Sequence, residues 1–332
     1  MSMMSPVEAL RLLVEEELER VEFRPYVMLS NIRKDSAFQT SIEWNVSLGG
    51  AVSSGRATTA DVASSADAAD ETKRAKLSIG DRVLGHHFAI LRTAIEEAKN
   101  AGVGALRALF MEHIERAFEV IFTDLSAVLY NGTGNAGSHG VTGITAAMAA
   151  AAYAGIATAD YAEWDSTVSA NGGTNRAITK KILDDHLVLL KRRGVMPTAI
   201  YTTPELIMKY EDLFNAERSL TVNQINGIAD VGFSGHAYRR IPLIEDTQAP
   251  DNTLNFLDFS KLKLFTSRLT DVVNDGRVVS ATTRMMPQMG LNFRVAELTN
   301  RNPDLLEMEI SLLPQLQIRQ PKSISAIQDI TQ

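Results

Sequence analysis

An α+β fold is what this sequence predicts, on three observations. An apolar stripe at helical spacing runs through residues 104–130. Stretches of apolar-polar alternation lie on either side of it. Helices and strands follow one another without the regular strand-helix repeat of a doubly wound sheet, and no internal repeat is present.

In residues 6–22, Val7, Leu10, Leu13 or Val14, Leu18 and Val21 recur three to four apart with Glu15, Glu16, Glu17 and Glu19 between them. This is an amphipathic helix, ended or kinked by Pro25. Two strands then bracket small and polar residues: Ile42, Trp44 and Val46 share one face on the way out, Leu77 and Ile79 on the way back. About thirty residues separate them, whereas loops beyond ~12–15 residues are uncommon inside compact domains, which predicts a long arm that leaves the body and returns.

Residues 91–101 read as a helix stopped by Gly102 and Gly104. The stripe that follows comprises Leu106, Leu109, Phe110, Ile114, Ala117, Phe118, Ile121, Phe122, Leu125, Val128 and Leu129. At 1.5 Å per residue this helix is about 39 Å long. Asn131-Gly132 is expected to cap it in the left-handed conformation.

A second section starts near Thr174. "TNRAITKKILDDHLVLLKRRG" reads as a helix with Ile178, Ile182, Leu183, Leu187 and Leu190 inward and Gly194 as its C-cap. A strand over 198–201 precedes a helix with Thr203 as N-cap and Pro204 in the first helical position. Residues 238–262, "YRRIPLIEDTQAPDNTLNFLDFSKL", read as a strand, a turn set by Asp, Pro and Asn, and a returning strand, a hairpin. Alternating strands close the sequence.

Composition narrows the function classes. With 332 residues, 45% hydrophobic and 22% charged, the chain buries a substantial core. It has no Cys, which excludes disulfides, thiolate metal sites and a Cys nucleophile. No stretch predicts a signal peptide or membrane span, which places the protein in a cytosol. A net charge of −7 argues against a general nucleic-acid-binding surface, which needs clustered Lys and Arg.

Chemically suggestive motifs are sparse. "GTGNAGSHG" is Gly-rich, but it follows a long helix with no Lys nearby, unlike a phosphate-binding loop between strand and helix. His86, His87, His113, His139, His186 and His236 form no ligand pair on one face, and His113 reads as packing beside the apolar stripe. No Ser sits in a nucleophile elbow. Asp184-Asp185-His186 resembles part of an acid/base or metal cluster, yet adjacent helical positions diverge. Glu245 and Asp246, adjacent on a strand, face opposite ways, so the turn reading is preferred over a carboxylate site. No catalytic, cofactor or metal residue is assigned.

The order of these parts resembles the major capsid protein of tailed bacteriophages, the Hong Kong 97-type fold, over most of the chain. The carrying motifs are the long helix ending in "LYNGTGNAGSHGVTGI", "AAYAGIATADYAEWDSTV", "GVMPTAIYTTPELIMKYEDL" and "GHAYRRIPLIEDTQAPDNTLNFLDFSKLKLF", in that order after an arm and a long loop. The resemblance implies an N-terminal arm (1–35), an extended β-hairpin loop (36–90), a peripheral domain built on the long spine helix (91–173 and 263–332) and an axial domain (174–262). It also implies a non-enzymatic function: self-assembly of pentamers and hexamers into an icosahedral virion shell enclosing double-stranded DNA without sequence-specific binding, formed in the host cytoplasm. Separate scaffolding, portal and decoration proteins are the implied partners; scaffolding, where needed, is expected to be a separate protein because 35 residues ahead of the loop are too few for a fused segment. Some members cross-link a loop Lys, for which Lys73 and Lys76 are the residues available. Glu245 and Asp246 are expected near the ring centre. The alternatives are an encapsulin-type compartment and, from another class, a metal-dependent hydrolase using Asp184, His186, Glu245 or Asp246.

Overall fold

A computed structural model describes residues 26–37, 40–48, 72–79, 83–214, 236–268, 278–286, 290–299 and 302–332. The helix expected over 6–22 and the tip of the long loop lie outside these residues. The described strands are β1 (Arg33–Ala37), β2 (Ser41–Ser47), β3 (Thr72–Ser78), β4 (Leu84–Leu91), β5 (Ala152–Tyr153), β6 (Ile156–Ala157), β7 (Thr167–Ser169), β8 (Ala199–Thr202), β9 (His236–Tyr238), β10 (Ile241–Glu245), β11 (Leu254–Leu257), β12 (Leu262–Ser267), β13 (Val278–Met286), β14 (Leu291–Leu298), β15 (Leu305–Leu312), β16 (Pro314–Ile318) and β17 (Ile324–Ile327). Mixed helices and sheets in this order make the α+β class a finding.

The long helix spans Val103–Asn131, 29 residues, and is the axis of the main core. Phe110, Ile114, Phe118, Ile121, Phe122, Leu125 and Leu129 are buried, and they pack with Phe88 and Ile90 of β4, Phe293 of β14 and Met308 and Ile310 of β15. Phe118 and Phe122 both meet the edge of Phe293, with ring centroids 5.4 and 6.0 Å apart. Edge-to-face pairs of this kind add about 0.5–1.5 kcal/mol to the burial itself. The preceding helix, Arg92–Ala101, is separated by Gly102 alone, at φ 116°. Gly104, read as a second breaker, lies inside the long helix.

Gly132 departs from the expected left-handed cap: its φ is −60°. The reason for glycine here is close approach. A Cβ on Gly132 would lie 2.5 Å from the Val141 carbonyl oxygen and 2.6 Å from that of Val128, and one on Gly143 would lie 2.7 Å from the Gly132 nitrogen. Gly143 N–H donates to Gly132 O at 2.8 Å, closing the Gly-rich excursion between them. Gly132→Ala is therefore expected to destabilise the protein by about 3 kcal/mol, the upper part of the overpacking range, as a lowered urea midpoint.

β2 and β3 pair antiparallel from Ser41↔Ser78 to Ser47↔Thr72 in a two-stranded ribbon, as the alternation predicted, with Ile42, Val46, Ala75 and Leu77 buried. β13, β14, β15 and β4 form one sheet, and β1, β12 and β16 another, so the N-terminal β1 lies parallel to β12.

The six-stranded sheet runs β7-β17-β11-β8-β10-β9. Ala199, Tyr201, Ile244, Leu257 and Ala326 face the main core, while Ile200, Leu243, Leu254, Phe256 and Ile327 face a second core made with two helices, Lys180–Arg192 and Pro204–Phe214. The first begins later than Thr174. Thr179 caps it by accepting from Ile182 N–H at 3.3 Å, and Ile178 before the cap shares the second core with Leu183, a hydrophobic staple.

The hairpin read over 238–262 is not formed. β10 is parallel to β8 on one side, β11 antiparallel to β8 on the other, so β8 separates them. The hairpin present is β9-β10, whose turn residues Arg239 and Arg240 have φ 49° and 74°. Two left-handed residues give the turn geometry matched to strand twist.

Candidate functional site

The residues singled out in the sequence go to separate places. Asp184 accepts from the Tyr238 hydroxyl and pairs with Arg239 at 2.7 Å, a clamp on the β9-β10 turn. These two donors hold its carboxyl below the usual range. Asp185 points to solvent. His186 lies on the opposite side, buried against Phe256 with ring centroids 4.8 Å apart and sharing a hydrogen bond with Ser325 Oγ at 3.3 Å. Burial lowers its pKa to about 4. A depressed imidazole pKa means its stabilisation is complete above the unfolded value near 6.5 and is lost as pH falls towards 4. Between pH 7 and 4 the protein is expected to lose about 3 kcal/mol through this group, and His186→Phe to flatten that part of the stability profile measured by urea melts.

Asp246 faces the other side of the sheet from His186. It is 2% exposed and accepts from the Tyr130 hydroxyl at 2.8 Å, Met28 N–H at 3.4 Å and Gln248 N–H at 2.9 Å. It thus joins the long helix, the short helix Val27–Asn31 and its own turn. Asn31 Nδ2 adds a bond to the Tyr201 hydroxyl at 2.8 Å. Burial raises the Asp246 pKa, and burial with the nearby carboxylate raises that of Tyr130 well above its ordinary value. The turn reading of Asp246 holds, and its carboxylate is enclosed by groups of its own chain. Glu245 is exposed. Asp184, His186 and Asp246 therefore do not converge, and the residues named for the hydrolase reading form no common site.

Of the loop lysines, Lys73 Nζ lies over the Tyr161 ring at 4.5 Å, and Lys76 Nζ is 3.4 Å from Glu43 with its side chain 63% exposed. His113 stacks on Phe88, His139 Nδ1 meets Val83 O, His236 pairs with Glu211 and His87 with Glu307. Among the described residues no three His, Cys, Asp or Glu gather to hold a metal, and no helix is long and apolar enough to cross a membrane. The Gly-rich turn lines a cleft of about 270 Å³ with β3 and Gln315. Gln315 is already occupied, donating to Ser78 O and Gly140 O and accepting from Thr142 N–H.

Sequence reasoning missed the surface. Val188, Leu189, Met196 and Met208 are 45–65% exposed at the two ends of the six-stranded sheet. "LVLL" at 187–190 carries the signal, since four consecutive apolar residues cannot all face inward from a helix.

No protein-family model matches the sequence, and no curated protein does. Among solved structures the chain is similar to one in the cyanophage A-1(L) capsid asymmetric unit, with 24% identity and TM-score 0.77 over 93% of both chains. It is similar to the capsid of the native GTA particle, with 12% identity and TM-score 0.61 over 94% of this chain and 91% of that one. It is also similar to the SrpI encapsulin of Synechococcus elongatus PCC 7942, with 11% identity and TM-score 0.54 over 92% and 88%. The fold defined by the long helix, the ribbon and the six-stranded sheet is the one these capsid and encapsulin chains share. It is the Hong Kong 97-type fold that the motif order implied.

Proposed function

We propose that this chain is a major capsid protein, non-enzymatic, which self-assembles into the icosahedral head of a tailed phage around packaged double-stranded DNA. The observation that carries this is the likeness to the cyanophage A-1(L) capsid chain over 93% of both chains at TM-score 0.77, against 0.54 for the encapsulin. Residues 1–35 then serve as the arm, 36–90 as the extended loop, 91–173 with 263–332 as the peripheral domain, and 174–262 as the axial domain. The β2-β3 ribbon supports the loop assignment, because it pairs with no other sheet among the described residues. The net charge of −7 suits a lining that releases DNA as it is packed. Tight binding of the shell's inner face to duplex DNA at physiological salt would count against that lining.

Electron microscopy of the purified chain tests the reading. Closed shells of uniform size are expected, built from rings of five and six, and discrete monomers under all assembly conditions would sink it. Genes for portal and terminase beside this one, rather than for a protein with a docking tail, separate the phage head from an encapsulin.

A further inference from the structure

The two ends of the six-stranded sheet carry unlike surfaces. Helix Lys180–Arg192 crosses the sheet from the β9-β10 turn, which Asp184 clamps, to the β7 end, where its last turns expose Val188 at 48% and Leu189 at 45% and the chain leaving it exposes Met196 at 65%. Arg193 fixes this helix end to the edge, donating to Thr167 Oγ1 and, at 2.7 Å, to the Asp165 carbonyl. Lys191 and Arg192 are exposed one turn beyond Val188, and Asp185 one turn before it.

At the β9 end, helix Pro204–Phe214 is fixed to the other edge by Tyr210 OH donating to Ala237 O at 3.0 Å and by the His236–Glu211 pair at 2.7 Å. It exposes Met208 at 64%. Glu205 and Asp212 lie three residues before and four after Met208, on the same face, while exposed Lys209 projects about 100° away.

An apolar patch with cations thus stands at one end, and an apolar knob between carboxylates at the other. We propose that the two ends dock on each other in successive copies of this chain, Met208 packing among Val188, Leu189 and Met196 of the next copy while Glu205 and Asp212 face its Lys191 and Arg192. This rests on the capsid reading and names the contact that closes its rings. The two surfaces differ, so the contact is head to tail and generates a ring. Methionine on both sides suits rings of five and six, because its unbranched side chain repacks as the angle between neighbours changes.

The absence of Cys makes the test clean. In assembled particles of the double variant Leu189→Cys with Met208→Cys, mild oxidation is expected to give a ladder on non-reducing gels that stops at five and six copies, and neither single variant is expected to give one. Particles without a ladder would overturn the contact and leave the capsid reading standing. Wild-type chain that forms no particles would overturn both. A second arm covers a double variant that fails to assemble. Lys191→Glu with Arg192→Glu should abolish particles while the subunits stay folded by circular dichroism, and adding Glu205→Lys with Asp212→Lys should restore them. Failure of the fourfold variant to assemble, with its subunits folded, would overturn the pairing.

Discussion

Ile121→Asp is expected to leave no folded protein. Ile121 is 0% exposed in the middle of the long helix, within the cluster that joins that helix to β4, β14 and β15. The substitution removes a buried aliphatic side chain, which alone costs about 2–5 kcal/mol, and puts an unpaired carboxylate in its place at a cost of several more. A typical domain has only about 5–15 kcal/mol to lose. Soluble expression, circular dichroism and thermal melting check the outcome, and a cooperative melt near the wild-type temperature would contradict the packing described. Ile121→Val, with an expected loss of about 1 kcal/mol, controls for the position.

Asp246→Ala is expected to cost about 4 kcal/mol, because a buried donor left without an acceptor costs about 1–3 kcal/mol and three lose theirs at once. Tyr130→Phe, which removes one of the three bonds, should cost only about 1 kcal/mol. The pH dependence of this joint has a definite sign. A carboxyl whose folded pKa is raised contributes stability that is complete below the unfolded value of 3.8 and is lost as pH rises through the folded one. Wild type should therefore gain on Asp246→Asn as pH falls from neutral, in urea melts taken along the series. His186 pulls the other way as pH falls, so the His186→Phe background shows the gain most clearly.

Much of the fold was legible because its signals are local. The long helix repeats one apolar period without a break, and Ile42, Val46 and Leu77 alternate as strand residues must. Gly194 is a local stop; the start of the helix before it was misplaced because Ile178 continues the apolar spacing without being helical. Strand neighbours within the six-stranded sheet were not legible. The Asp, Pro and Asn of 246–252 make a turn, but what pairs with β10 is decided by β8, some forty residues earlier in the chain. The burial of Asp246 was not legible because its donors come from Met28 and Tyr130, which no window around residue 246 contains. Gly132 was rightly a required glycine for the wrong reason, since backbone crowding by Val141 and a positive φ leave the same letter in the sequence.

The position of β17 has a consequence for biosynthesis. It enters the six-stranded sheet between β7 and β11, parallel to one and antiparallel to the other, although more than 150 residues of chain separate it from β7. Among the described residues no other strand pairs with β7. In a nascent chain this edge of the sheet therefore stays open until residues 324–327 have emerged from the ribosome.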